Sequence, residues 1–153
     1  MNEARIVQAR PEDVPVILNL IKALADYERL SDQVVATEEG LRAQLFGDHP
    51  VAEVVLARVD GAVVGFALFF HNFSTFLGRP GLYLEDLFVV PEWRGRGVGR
   101  KLLAHVAALA VERQCGRMEW SVLDWNTSAI RFYERLGATL MKEYRQLEAE
   151  SML

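Results

Sequence analysis

The stretch Val90-Pro91-Glu92-Trp93-Arg94-Gly95-Arg96-Gly97-Val98-Gly99-Arg100-Lys101 decides the fold of this 153-residue chain. It follows an apolar run and leads into apolar residues at helical spacing, with three glycines within five positions between them. Glycine lets the backbone turn sharply and approach a ligand closely. The first N–H groups of a helix have no partner within the helix and favour an anion. The stretch therefore predicts a strand, a glycine turn and a helix whose start can hold a phosphate.

Two better-known phosphate loops do not fit this turn. A Walker loop requires Gly-Lys-Ser or Gly-Lys-Thr at its end, whereas Gly99 is followed by Arg100 and Lys101. A dinucleotide fingerprint has the form G-x-G-x-x-G, whereas this turn has the form G-x-G-x-G. A tight turn with solvated arginines is the alternative interpretation.

The charge pattern indicates the kind of partner. The chain has 17 basic and 21 acidic residues, a net charge of −4, and an acidic chain lacks the basic footprint that nucleic acid requires. Four basic residues nevertheless fall within eight positions in the glycine turn, which predicts a small anionic ligand. Cys115 cannot form an intrachain disulfide, and we find neither a signal peptide nor an apolar run of roughly 20 residues. We therefore expect a cytoplasmic protein that binds no nucleic acid and no membrane.

The remaining sequence alternates strand and helix patterns. We predict strands at 4–9, 52–59, 62–70, 82–90, 118–123 and 139–147. We predict helices at 14–28, from Thr37 as cap to Gly47, from Val98 to an end at Cys115-Gly116, and at 126–136. Asp60-Gly61 predicts a hairpin turn, and 73–81 is expected to be a loop. This alternation predicts one α/β domain over residues 1–153.

Three segments carry a family resemblance. Arg94-x-x-Gly97-x-Gly99 resembles the acetyl-CoA signature of the GNAT superfamily of N-acetyltransferases, and residues 84–89 and 124–138 agree in order and spacing. Within that superfamily the chain is most similar to the spermidine/spermine and thialysine (diamine) acetyltransferase group, with a match that extends to residues 20–28. The resemblance implies a mixed, mostly antiparallel central sheet flanked by helices and splayed between its fourth and fifth strands.

The resemblance also implies acetyl-CoA as cosubstrate and no metal. It assigns these residues to the coenzyme: Leu87, Phe88, Val89, Arg94, Gly95, Arg96, Gly97, Val98, Gly99, Arg100, Asn126, Ser128 and Tyr133. Backbone groups of 87–89 are expected to pair with the pantetheine amides as an added strand would, and to leave an N–H for the oxyanion. Asn126 is also a typical helix N-cap, and the two roles are compatible.

Acetyl transfer to an amine needs a base, because a lysine-like ammonium has a pKa of about 10.4. We identify Glu85 as the candidate base. Asp86 is expected on the opposite face because strand side chains alternate, and the resemblance favours Glu85 for the catalytic position. The alternative interpretation of Glu85 is a surface charge on an edge strand.

The departing thiolate needs an acid, and Tyr133 is the candidate. It shares a helix face with Ala129 and Ile130, so the alternative is a core tyrosine with its hydroxyl at the surface. The three histidines, His49, His71 and His105, show no metal-ligand spacing.

The resemblance places part of the amine site at the end of the first helix. Tyr27 and Glu28 are the candidate substrate-binding residues there, together with Glu85, and two carboxylates would attract a cationic amine. A solvated helix end is the alternative for Glu28. The loops at 30–36 and 73–81 are expected to border this site.

The sequence thus predicts an N-acetyltransferase that moves acetyl from acetyl-CoA to a primary amine of a small cation by direct attack in a ternary complex. The acceptor is a thialysine-like amino acid, a diamine or a polyamine. Residues 73–76 are similar to the thialysine-type enzymes, whereas polyamine-type enzymes have an aspartate there, which disfavours polyamines. Protein lysine or N-terminal acetylation and a non-catalytic CoA-binding module are the alternatives. The resemblance further implies a homodimer.

Overall fold

The computed structural model describes residues 3–142, which form two compact units that meet in sequence at Trp120 and Ser121. The first unit contains β1 (Arg5–Gln8), α1 (Val14–Tyr27), α2 (Glu38–Phe46), β2 (Glu53–Val59), β3 (Ala62–Ser74), β4 (Arg79–Val89), α3 (Val98–Glu112) and β5 (Met118–Trp120). The second unit contains α4 (Thr127–Arg135). Short 3-10 turns at Pro11–Asp13, Ser31–Gln33 and Pro91–Trp93 connect elements of the first unit. A single domain over 1–153 stays a prediction.

The first unit is built on a five-stranded sheet with the order β1-β2-β3-β4-β5. The strands from β1 to β4 are antiparallel to their neighbours, and β5 is parallel to β4. Only three residues of β4, Leu82 to Leu84, pair with β5. This topology confirms the predicted mixed, mostly antiparallel sheet and the separation of its fourth and fifth strands.

Helices cover the two faces of the sheet. Phe66 of β3 and Phe88 of β4 are buried in one cluster with Ile17 and Leu20 of α1. The opposite face carries Gly65, where an added Cβ would lie 3.3 Å from Leu102 of α3 and 2.7 Å from the Phe88 carbonyl oxygen. The helix α3 can approach the sheet this closely because position 65 has no side chain. The two helices therefore pack on opposite faces of the sheet near the last residues of β4.

Local signals in the sequence place most element boundaries correctly. The Thr37 hydroxyl accepts the N–H of Gly40 at 3.0 Å, and Asn126 Oδ1 accepts the N–H of Ala129 at 3.3 Å, so both predicted N-caps are confirmed. Asp60 and Gly61 have φ values of 51° and 85°, as the predicted hairpin requires. No helix among residues 3–142 is long and apolar enough to cross a membrane.

Several element boundaries differ from the prediction. The predicted loop at 73–81 is wrong over most of its length, because β3 continues to Ser74 and β4 begins at Arg79; their backbones pair directly there. The helix α3 ends at Glu112, not at Cys115-Gly116. Gln114 adopts the left-handed conformation, with φ of 60°, since the Cys115 N–H already closes the helix end on the Ala110 carbonyl.

The fifth strand is shorter than predicted and ends at Trp120. The predicted closing strand at 139–147 is not formed over residues 139–142. Its remainder, 143–147, lies outside the described residues.

Candidate active site

One extra residue in β4 governs the geometry of the site. Leu68 of β3 pairs with Asp86, and the next residue, Phe69, pairs with Leu84. Glu85 therefore has no partner across the ladder, which defines a β-bulge, a feature that re-aims side chains and often lies beside active sites. Leu84 and Asp86 lie on opposite faces of the sheet as a result, although they are two residues apart.

The bulge places Asp86 on the face of the sheet that α1 covers. Residues directly opposite each other in neighbouring strands point to the same face, and Leu68, the partner of Asp86, packs against the cluster of α1 and β3. The sequence predicts Asp86 on the face opposite Glu85 because strand side chains alternate. The bulge interrupts this alternation at Glu85, so that premise is wrong here. A bulge depends on the register with β3, which the sequence pattern of β4 alone does not reveal.

Asp86 is the most strongly perturbed carboxyl in the described part of the chain. Burial, and then the like charges of Glu85 and Glu28, raise the pKa of Asp86 from its ordinary 3.8 to about 7. Burial disfavours an ionised carboxyl, and a nearby carboxylate adds to the effect. Glu28 and Glu85 thus both act electrostatically on Asp86, and we call these three acidic side chains the carboxylate group.

The end of α1 supplies the third member of the carboxylate group. Glu28 caps the helix, and its N–H donates to the Leu24 carbonyl at 2.9 Å. Arg29 then adopts the left-handed conformation, with φ of 63°, which ends the helix directly after Glu28. Burial raises the pKa of Glu28 above its ordinary value. The alternative interpretation of Glu28 as a fully solvated helix end is therefore not what the structure shows.

The last residues of β4 present backbone groups away from β3. Val90 donates its N–H to the Val64 carbonyl at 2.9 Å, and residues of an antiparallel strand face their partner alternately. Phe88 therefore faces β3, whereas Leu87 and Val89 direct their N–H and C=O groups to the other side. On that side β5 pairs only as far as Leu84. The predicted pairing of 87–89 with the pantetheine amides stays a prediction, and Leu87 and Val89 are the residues whose backbone groups face that side.

The glycine turn joins β4 to α3 as predicted. Gly95 and Gly97 have φ values of 76° and 81°, a region that side chains rarely tolerate. An added Cβ would meet no protein atom within 4 Å at either position, so the backbone angle, not crowding, requires glycine here. Gly97 is the N-cap of α3, without a side-chain cap, and leaves the first N–H groups of the helix for a ligand.

The four basic residues of the turn point in different directions. Lys101 contacts Glu3 and donates to the Ala4 carbonyl, and Arg96 lies over the Trp93 ring, 4.6 Å from its centroid. Arg100 is exposed in the first turn of α3. The four residues are close together in sequence, but the Lys101 side chain points toward the start of β1.

Arg94 has its contacts within the first unit. Its Nε–H donates to the Val89 carbonyl oxygen at 2.9 Å. Its guanidinium carbon lies 4.5 Å from the centroid of the Tyr27 ring and 5.4 Å from that of Phe88. Arg94 thus connects the end of α1 to the end of β4.

The second unit carries the other predicted site residues. Asn126 is buried and caps α4, and its Oδ1 also accepts from the Ser128 hydroxyl at 3.3 Å. Tyr133 lies on α4 and makes an edge contact with the Phe132 ring, with centroids 5.4 Å apart. The N-cap role of Asn126 is confirmed. The assignment of Asn126, Ser128 and Tyr133 to the coenzyme stays a prediction.

Metal ligands do not gather in this part of the molecule. Within residues 3–142, no group of three or more His, Cys, Asp or Glu side chains is arranged to hold a metal ion. The carboxylate group is thus a set of electrostatically linked acids next to an open strand edge. Such a set attracts a cation, and the strand edge and helix start suit an extended ligand with phosphates.

These features define an α/β protein in which a mixed sheet carries a glycine turn, an open strand edge and a set of linked acids. Residues 18–138 match the model of the Acetyltransferase (GNAT) family, and the chain belongs to that family. It is an acetyltransferase, and acetyltransferases of this family use acetyl-CoA as the acyl donor.

Curated relatives cover nearly the whole chain. The chain is 42% identical over 146 residues to the thialysine N-epsilon-acetyltransferase of Bos taurus, with 90% of this chain and 85% of the relative aligned. It is 35% identical to the L-ornithine N5-acetyltransferase NATA1 of Arabidopsis thaliana, with 93% and 82% aligned. Among solved structures, an integron cassette protein from V. cholerae is similar at a TM-score of 0.80 and 28% identity, with 98% and 95% covered.

The perturbed Asp86 leads to a prediction about stability. Its folded pKa of about 7 lies above its ordinary 3.8, so between these values the folded state holds a proton that the unfolded state has lost. The contribution of Asp86 to the free energy of unfolding therefore falls as pH rises through this range, and it is lost above about pH 8. We expect Asp86→Asn to gain about 2–3 kcal/mol relative to the wild type between about pH 5 and about pH 8, measured by chemical unfolding.

Two further variants serve as controls. Asp48→Asn makes the same chemical change at an exposed site, and its stability should run parallel to the wild type over this range. Glu85→Gln removes one of the like charges that act on Asp86, so it should reduce the slope in part. Parallel profiles for Asp86→Asn and the wild type would contradict the assignment.

Proposed function

We propose that the chain transfers acetyl from acetyl-CoA to a primary amine of a small cationic molecule. The observation that carries this proposal is the carboxylate group of Glu28, Glu85 and Asp86, because a partly buried set of acids is stabilised by a positive ligand. Burial and like charge act on Asp86 together, and a bound ammonium would offset both. The strand edge at Leu87 and Val89 lies directly after Asp86 in β4.

The acceptor in this proposal is an amino acid whose side chain ends in an amine, such as thialysine or ornithine. The names of the bovine and Arabidopsis relatives refer to the N-epsilon of thialysine and the N5 of ornithine. Both groups are ammonium ions at neutral pH. The number of acidic side chains near Asp86 supports an acceptor with more than one positive nitrogen.

The coenzyme is proposed to lie along the end of β4 and over the glycine turn. The N–H groups at the start of α3 suit its pyrophosphate. The backbone groups of Leu87 and the N–H of Val89, whose carbonyl accepts from Arg94, suit the pantetheine amides. Arg96 and Arg100 supply positive charge beside the turn. Asn126, Ser128 and Tyr133 of the second unit are assigned to the coenzyme by the resemblance of their segment.

The proposed reaction passes through a ternary complex. Glu85 takes a proton from the acceptor ammonium, directly or through water, and the neutral amine attacks the thioester carbonyl carbon. A backbone N–H at the end of β4 stabilises the oxyanion. The C–S bond then breaks, and Tyr133 donates a proton to the departing thiolate. The attacking nitrogen loses its second proton, which returns to the Tyr133 phenolate through solvent, so that an amide and free CoA are formed.

The function is tested by release of free thiol from acetyl-CoA over a panel of acceptors. We expect turnover with thialysine, ornithine, lysine and simple diamines, and much less with spermidine and with a lysine-containing peptide. Acetyl-CoA alone should raise the melting temperature of the protein. A rise in melting temperature without thiol release from any acceptor would favour a non-catalytic CoA-binding module, and preference for the peptide would favour protein acetylation.

Two substitutions test the catalytic roles. Glu85→Gln and Tyr133→Phe remove the proton acceptor and the proton donor with little change in size, and general acid or base catalysis contributes typically 10²–10⁴-fold. We expect kcat to fall by roughly 10²-fold or more in each variant, while the dissociation constant of acetyl-CoA changes by less than about threefold. Unchanged kcat in both variants would remove these assignments.

We further propose that the enzyme acts in the cytoplasm as a homodimer and binds neither nucleic acid nor membrane. The negative net charge supports the absence of a nucleic-acid partner, and the resemblance supports the dimer. Sedimentation at micromolar concentration should give about twice the mass of one chain, and a monomer at every concentration would exclude the dimer.

A further inference from the structure

We propose that Arg94 is a positioning residue that holds the amine-binding end of α1 against the coenzyme edge of β4. The inference rests on the proposed function, because that function assigns Tyr27 to the acceptor and Val89 to the coenzyme. The sequence predicted Arg94 among the coenzyme contacts. Its observed partners support a role that acts through the protein instead.

The two contacts of Arg94 use different parts of one rigid group. The Nε–H donates to the Val89 carbonyl at 2.9 Å, and the guanidinium carbon lies 4.5 Å from the centroid of the Tyr27 ring. A planar guanidinium can donate in its plane and stack through its face at the same time, whereas a lysine ammonium has one nitrogen and no planar face. Arginine is therefore the residue type that can serve both contacts.

The two partners of Arg94 lie next to the two halves of the proposed site. Tyr27 precedes Glu28, whose charge acts on Asp86. Val89 is one of the two residues whose backbone groups point away from β3, and the bond from Arg94 orients its carbonyl. Arg94 thus joins the strand edge to the end of α1 and keeps Tyr27 and Glu28 in place beside it.

Kinetics of matched variants test this role. Arg94→Lys keeps the charge and Arg94→Gln keeps a donor, but both lose the combined contact, so we expect the KM for the amine to rise roughly tenfold. The KM for acetyl-CoA should change by less than about threefold. Arg96→Lys is the control from the same turn, because Arg96 lies over Trp93, and its effect should fall on acetyl-CoA instead.

A double substitution locates the effect in the Tyr27 contact. Tyr27→Leu removes the ring, and combining it with Arg94→Gln should raise the amine KM no further than the larger single change does, since both variants lose the contact between Arg94 and Tyr27. Additive effects would overturn the proposal. A rise in the KM for acetyl-CoA in Arg94→Gln that is absent in Arg94→Lys would also overturn it and would assign Arg94 to the coenzyme phosphates.

Amide hydrogen exchange of the free protein tests the connection independently of activity. Arg94→Gln should speed exchange at residues 28–30, at the end of α1, whereas Arg96→Lys should leave it unchanged. Unchanged exchange in Arg94→Gln overturns the proposal even if the enzyme is active. A wild-type protein that acetylates no amine, with faster exchange in Arg94→Gln, would refute the proposed function and leave the connection supported.

Discussion

The bulge at Glu85 is the constraint on which the rest of the site depends. A strand without the extra residue would direct the backbone groups of Leu87 and Val89 toward β3, because the groups of Leu82 face β5, where its N–H donates to the Arg117 carbonyl. The extra residue reverses this alternation. The backbone groups of Leu82, which pair with β5, and those of Leu87 and Val89 therefore point to the same side of β4. It also moves Asp86 to the face that α1 covers. One inserted residue thus produces the open strand edge and the buried carboxyl together.

The helices and caps could be predicted because their signals are local. Thr37 and Asn126 satisfy N–H groups three residues away, and Asp60-Gly61 needs only its own backbone angles. The bulge could not be predicted, because it is defined by which residue of β3 faces which residue of β4. The same limit applies to the extension of β3 to Ser74, where pairing overrides a segment rich in glycine and proline. The turn glycines could be predicted from sequence, whereas the raised pKa of Asp86 could not, because it depends on burial and on Glu28, which is distant in the chain.

The carboxylate group illustrates how a site can oppose the stability of its own fold. Burial of an acid beside two like charges disfavours its ionised form, and Asp86 has no described basic partner among the groups that shift its pKa. Elsewhere in the first unit a buried acid is paired, since Asp13 accepts from Arg58 at 2.5 Å. Asp13 therefore belongs to the framework, whereas the uncompensated charge at Asp86 is the kind of arrangement found at functional sites.

The acidic chain and its proposed anionic coenzyme are reconciled by the backbone. The side chains of Arg94 and Lys101 are turned to Val89 and to the start of β1, so the basic cluster offers a phosphate fewer side chains than its sequence indicates. The N–H groups at the start of α3 do not depend on net charge, and they carry the positive end of the helix dipole. An acidic protein can therefore hold an anion locally, while in the proposed function the carboxylate group of Glu28, Glu85 and Asp86 attracts the cationic acceptor. The two binding preferences stay separate because one is a property of the main chain and the other of the side chains.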